Sequence, residues 1–154
     1  MRAVPKLGVL TIIVFSVAGF FDALYLSAKH YFGSDINCFL VSGCEEVTTS
    51  TYSVILGVPM AYLGLVYYVL ILFLSVYLLN NLDKTFIFKT ILVVSGLGFL
   101  FSLYLLYLQA FVILAYCIYC LMSASISTML FLISLVINFR LKSNSAFDKE
   151  PMIN

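Results

Sequence analysis

The stretch "TILVVSGLGFLFSLYLLYLQAFVILAYCIYCLMSASISTMLFLISLVIN", residues 90–138, contains no Asp, Glu, Lys or Arg. As one straight helix it would extend about 74 Å at 1.5 Å per residue. The hydrocarbon core of a bilayer is about 30 Å thick. The segment must therefore turn back on itself. The natural turn lies around Gln109 to Tyr116, which gives one crossing at roughly 86–108 and another at roughly 116–139.

Working outward, a second charge-free run lies between Val54 and Leu79. It predicts a span at about 59–79, with Pro59 in the first turn, where a missing N–H is harmless. The first span is expected at about 7–28, between Lys6 and Lys29. Arg2, Lys6 and the "SVA" at 16–18 also have the look of a signal peptide, but the apolar pattern runs past that site to Leu26. The composition agrees with a membrane protein. Of 154 residues, 64% are hydrophobic and 10% charged, against about 25% charged in a soluble domain. A net charge of +1 gives no support to nucleic-acid binding. The expected fold class is an all-α membrane protein, a four-transmembrane-helix bundle with an outer loop between helices 1 and 2. The whole chain, 1–154, reads as a single integral membrane domain whose loop covers 30–53.

Orientation follows from Lys and Arg. With four spans, both tails and the 80–85 connection share one side. That side holds Arg2, Lys6, Lys84, Lys89, Arg140, Lys142 and Lys149, seven of the eight basic residues. It is expected to be cytoplasmic. The loop with His30, Asp35, Glu45 and Glu46 falls on the other side, and Lys29 stands at the boundary. All four cysteines then lie outside: Cys38 and Cys44 in the loop, Cys117 and Cys120 at the start of the last span. In a bacterium that compartment is the periplasm, where disulfides persist.

Cys117 and Cys120 form a CxxC. Cysteines three apart on a helix share a face, with β-carbons about 5–6 Å apart, close to what a disulfide needs. A helix start also favours a thiolate. Taken alone, two cysteines in a membrane helix are often small apolar fillers, and Cys38 with Cys44 reads most simply as a structural disulfide. Four thiolates on zinc is a third reading, but nothing suggests the tight turns of a zinc site around Cys117. Two pairs on one face of the membrane favour a relay by thiol–disulfide exchange. A lipid-soluble quinone is the simplest acceptor at that depth, since no haem, flavin or nucleotide motif is visible. The competing reading is a non-catalytic membrane protein or small transporter with a structural Cys38–Cys44 bond.

Asp22 is a charge inside the first span, which marks a functional site or a helix-packing hydrogen bond. His30 reads as a membrane-surface residue. Most Tyr and Phe read as packing or interface anchors. Tyr116 and Tyr119 flank the thiols and are candidate quinone contacts.

The stretch "INCFLVSGCEEVTTSTYSVILGVPMAYLG", 36–64, followed by "YCIYC", 116–120, resembles the vitamin K epoxide reductase family. The matching features are the loop pair, a Ser-rich stretch, Gly57-x-Pro59 entering a helix, Gly64 beyond it, and CxxC opening the last span. The likeness is to the short bacterial form, without a fused thioredoxin-like domain. Quinone-linked oxidases of the DsbB type place the pairs in the opposite order. The resemblance implies a redox-active membrane enzyme. A separate periplasmic thioredoxin-fold protein, DsbA-like, would attack the loop disulfide at Cys38. Cys44 would exchange with Cys117, and Cys120 would face the quinone, of ubiquinone, menaquinone or phylloquinone type. The implied location is the bacterial inner membrane, with cytoplasmic termini. Ser53 aligns with a quinone-binding Asn of animal members. Ala124 stands where those members place a pocket Tyr, a departure that bears on epoxide reduction.

Overall fold

The computed structural model describes residues 4–32, 47–48, 50, 53–55 and 57–147, with side chains described as far as Ser143. Cys38 and Cys44, with most of the expected 30–53 loop, lie outside the described residues. Four long helices dominate: α1 (Lys6–Phe32), α2 (Met60–Asn80), α3 (Thr85–Tyr107) and α4 (Ile118–Phe147). Two-residue strands β1 (Val54–Ile55) and β2 (Val58–Pro59) form a small antiparallel hairpin ahead of α2, pairing Val54 with Pro59 and Ile55 with Val58. Gly57 turns it at φ 83°, the left-handed region that favours glycine.

All four helices are long and apolar enough to cross a membrane, and the protein is an integral membrane protein. Each helix packs against its neighbours in a closed ring, α1 on α2 and α4, and α3 on α2 and α4. The short connections at 81–84 and 114–117 make α2, α3 and α4 successively antiparallel. The core is continuous through Ile12, Tyr68, Ile71, Phe88, Ile91 and Leu130. Ser16, Ser75, Ser95 and Ser134 are fully buried, one on each helix. Small side chains there let helix backbones approach where lipid provides no hydrophobic drive for association. The outward faces are also apolar: Phe73, Phe86 and Leu7 are each at least 70% exposed. A water-soluble bundle would place polar groups there.

At one end, the N–H of Val4 donates to the carbonyl of Leu82 at 3.1 Å. The N-terminal segment is thus tied to the α2–α3 connection, and Lys84 donates to the Tyr77 hydroxyl at 3.0 Å beside it.

The α3 crossing differs from its expected end near residue 108. The helix continues as a π-helical turn, Leu108–Ile113, before Leu114 reverses the chain at φ 56°. The turn is therefore confined to residues 114–117. The physical reason is Gln109. Its buried side chain stays on the helix and accepts the N–H of Cys117 at the far end of the turn.

Candidate active site

Cys117 sits immediately before α4, and its carbonyl accepts the N–H of Leu121 at 3.0 Å. It therefore occupies the N-cap position. An N-cap side chain faces the free N–H groups of the second and third helical residues. Here those residues are Tyr119 and Cys120, and both N–H groups donate to the Cys117 sulfur. The Cys120 thiol is the larger influence, donating to the same sulfur. Together they outweigh burial and the nearby Asp22 charge, and they draw the Cys117 thiol down to about 7. The thiolate form of Cys117 is thereby favoured. CxxC spacing at a helix start thus makes the two cysteines inequivalent, one poised as thiolate and the other as its hydrogen-bond donor.

The position of Cys117 is fixed from α3. Its N–H donates to the Gln109 Oε1 at 3.1 Å, and Gln109 is 2% exposed. This bond joins the π-helical turn to the thiol site across the reversal. Gln109→Leu fills similar volume but leaves a buried N–H unpaired, which costs about 1–3 kcal/mol. We expect a lower unfolding midpoint in detergent of that order, with a slower exchange reaction at Cys117.

The two sulfurs face different surroundings. Cys117 is fully buried, clustered with Val47 and Ala115. Cys120 is half-buried and lines a cavity of about 170 Å³ inside the bundle. The cavity walls are mostly apolar and come from all four helices and the hairpin. Ser53 and Tyr119 line it; Tyr116 does not, and is 45% exposed. Tyr116 precedes the N-cap, so the helix does not aim it inward. Tyr119, in the first turn, packs on Tyr25 of α1 with ring centroids 4.9 Å apart.

Ser53 donates its hydroxyl to the Ser50 carbonyl at 2.7 Å, so toward the cavity its oxygen has only lone pairs to offer. A donor comes from elsewhere. The Tyr67 hydroxyl is buried among the lining residues and has no hydrogen-bond partner among the described residues. Tyr68 beside it is committed, bonding the Ser123 carbonyl at 3.0 Å and the Ser123 hydroxyl at 2.8 Å. Tyr67 was not among the candidates read from sequence. In an all-apolar helix no periodicity says which tyrosine faces inward. The only hint is the spacing of small residues opposite, since a Cβ at Gly98 would collide with the Tyr67 ring.

An apolar cavity with one orphaned phenol donor and a thiol in its wall suits a quinone, which is flat, apolar and edged by carbonyl acceptors. A membrane four-helix bundle with a CxxC at a helix start over such a cavity defines a membrane thiol–disulfide oxidoreductase. The sequence model of the vitamin K epoxide reductase family matches residues 10–135, so the chain belongs to that family. Membership carries an oxidoreductase role of the thiol–disulfide and quinone kind. No curated protein matches the chain.

Proposed function

We propose that the chain is a thiol–quinone oxidoreductase that takes electrons from a separate thioredoxin-fold dithiol protein and so supports disulfide formation. The observation that carries this reading is the split between the two helix-start thiols: Cys117 packs against Val47 on the loop side, and Cys120 lines the cavity. Val47 follows Cys44 by three residues, a reach of at most about 11 Å for an extended chain. Val47 also borders the cavity, so a short tether from Cys44 would end where the Cys117 cluster and the cavity wall meet.

The partner's thiolate attacks Cys38 of the Cys38–Cys44 disulfide and releases Cys44 as a thiolate. Cys44 then attacks Cys117 in the Cys117–Cys120 disulfide and frees Cys120. The partner's second thiol resolves its bond to Cys38, leaving the partner oxidised. Cys38 next attacks Cys44, restoring the loop disulfide and expelling Cys117. A thiol that favours its thiolate leaves faster, which suits the N-cap position of Cys117. The chain now holds two electrons as the Cys117 and Cys120 thiols. A bound quinone supplies an acceptor for two electrons and two protons, which turn it into a hydroquinone. With a quinone bound, Tyr67 would donate a hydrogen bond to it, and Tyr119 and Ser53 would flank it within the mostly apolar wall. Cys38, Cys44, Cys117 and Cys120 are the proposed redox residues.

The sidedness proposed is cysteines periplasmic and termini cytoplasmic, in a bacterial inner membrane. It is supported by the basic residues Lys6, Lys84 and Lys89 at the end where Val4 meets Leu82. The test uses Cys44→Ala in cell membranes. In this variant the Cys38 thiolate attacks the disulfide of an oxidised partner, releasing one partner thiol, and without Cys44 the mixed bond is not drained into a Cys38–Cys44 disulfide, so it should accumulate. Mass spectrometry should identify a thioredoxin-fold protein attached to Cys38. Recovery of Cys38 only as free thiol, with quinone reduction intact, would rule the pathway out.

A further inference from the structure

The Asp22 carboxylate has no part in the relay above, yet it lines the same cavity as Cys120. Asp22, Leu26 and His30 recur at i, i+4 and i+8 on α1, one stripe facing the cavity. Asp22 is the one carboxylate among the lining residues described. Cys120, Tyr119 and Tyr68 line the same cavity wall. A helix-packing role would need a donor, and among the described residues no hydrogen bond or salt bridge reaches this carboxylate. A partnerless carboxylate in a membrane helix is costly and is retained where a proton pathway needs it.

We propose that Asp22 is the proton carrier of the cavity, accepting the proton of the Cys120 thiol and delivering it within the cavity as the quinone is reduced. The inference rests on the relay proposed above. The reaction must move protons as well as electrons. Forming the Cys117–Cys120 bond releases two electrons and the two thiol protons, and converting a quinone to a hydroquinone takes up the same number of each. The mostly apolar walls offer few groups that exchange protons. The other titratable groups facing the cavity are His30 on α1, Tyr67 and Tyr68 on α2, and Tyr119 on α4; α3 contributes none among the lining residues described. His30 lies two turns along α1, about 12 Å from Asp22 at 1.5 Å per residue, too far for direct transfer. Tyr68 is held by Ser123. Asp22 is left as the base within the wall.

The sign of the pH effect follows. Asp22 accepts a proton only when ionised, so quinone reduction falls on the acid side as Asp22 protonates. Removing the carboxylate removes that limb.

The test uses the full chain in lipid nanodiscs, with dithiothreitol as electron donor and a short-chain ubiquinone analogue as acceptor. Asp22→Asn should slow quinone reduction about 100-fold and abolish the acid limb, and Asp22→Glu should recover to within about ten-fold of wild type. A second readout needs no quinone: the alkylation of Cys120 by N-ethylmaleimide in a Cys117→Ala background, followed site by site by mass spectrometry. A carboxylate acting as base speeds it, so Asp22→Asn should slow it. A carboxylate acting only by its negative charge disfavours the thiolate, so the same substitution would speed it. Faster alkylation in Asp22→Asn, or quinone reduction within about three-fold of wild type, overturns the proposal. Cys120→Ala run alongside separates the two levels of the argument. Full activity in that variant overturns the relay itself; its loss, with full activity in Asp22→Asn, overturns only the role of Asp22.

Discussion

Cys120→Ala is expected to lower quinone reduction by about three orders of magnitude or more, the scale on which removing a reacting group acts. Cys120 is the thiol that lines the cavity, and Cys117 is sealed away from it. No other thiol among the described residues lines the cavity. The same substitution removes the thiol that donates to Cys117, the largest influence holding Cys117 near 7. The Cys117 midpoint should therefore move up, so that less thiolate is present at neutral pH. Exchange at Cys117 should slow by a smaller factor than quinone reduction. The measurement is anaerobic quinone absorbance against time, with Cys117 labelling followed in parallel across pH. If Cys120→Ala still reduced quinone at the wild-type rate, the division of labour between the two thiols would be wrong.

Gly19→Leu should destabilise the bundle by more than about 3 kcal/mol, the upper end for overpacking a filled core. A Cβ built at Gly19 would fall within the Tyr68 ring. That ring is 1% exposed and pinned by two hydrogen bonds to Ser123 on α4. It cannot swing aside without breaking a contact that joins α2 to α4, a further loss of about 1 kcal/mol. The gain in helix propensity over glycine is only about 1 kcal/mol, so crowding wins. Gly64→Ala is the matched control. Its Cβ would meet only Ala23 Cβ at 3.8 Å, an ordinary contact, and the change should stay under about 1 kcal/mol. Unfolding in mixed detergent micelles reports both. Equal stability of the two variants would mean that Tyr68 is not fixed as described.

The four-helix bundle was legible because charge is scarce and its gaps are long. The run 90–138 could only be two crossings, and the helices end in the 114–117 turn that separates them. The family was legible from Cys spacing together with Gly57-x-Pro59. Other features were not. The extension of α3 to Ile113 depends on Gln109 pairing with Cys117, eight residues on and across a reversal. Local propensity has no access to such a bond, and Gln109 on sequence grounds belonged to the turn itself. The choice of Tyr67 and Tyr119 over Tyr116 for the cavity wall depends on where helices start and how they rotate. In lipid both faces of a helix are apolar, so the amphipathic signal that fixes rotation in soluble proteins is lost. Asp22 stood out early because charge inside a span is expensive, but its sequence could not separate a packing role from a chemical one. Among the described residues no hydrogen bond reaches its carboxylate, which favours the chemical role proposed above.

The most direct test is a crosslink between the two pairs. In a Cys38→Ser, Cys120→Ser variant, Cys44 and Cys117 keep their attacking positions and lose their usual partners. The relay predicts a Cys44–Cys117 disulfide within one chain, formed as the two thiols give up two electrons to oxidised glutathione added to the membranes, and recovered by non-reducing peptide mass spectrometry. Recovery of both residues as free thiols, under conditions where the wild-type chain is oxidised, would contradict it.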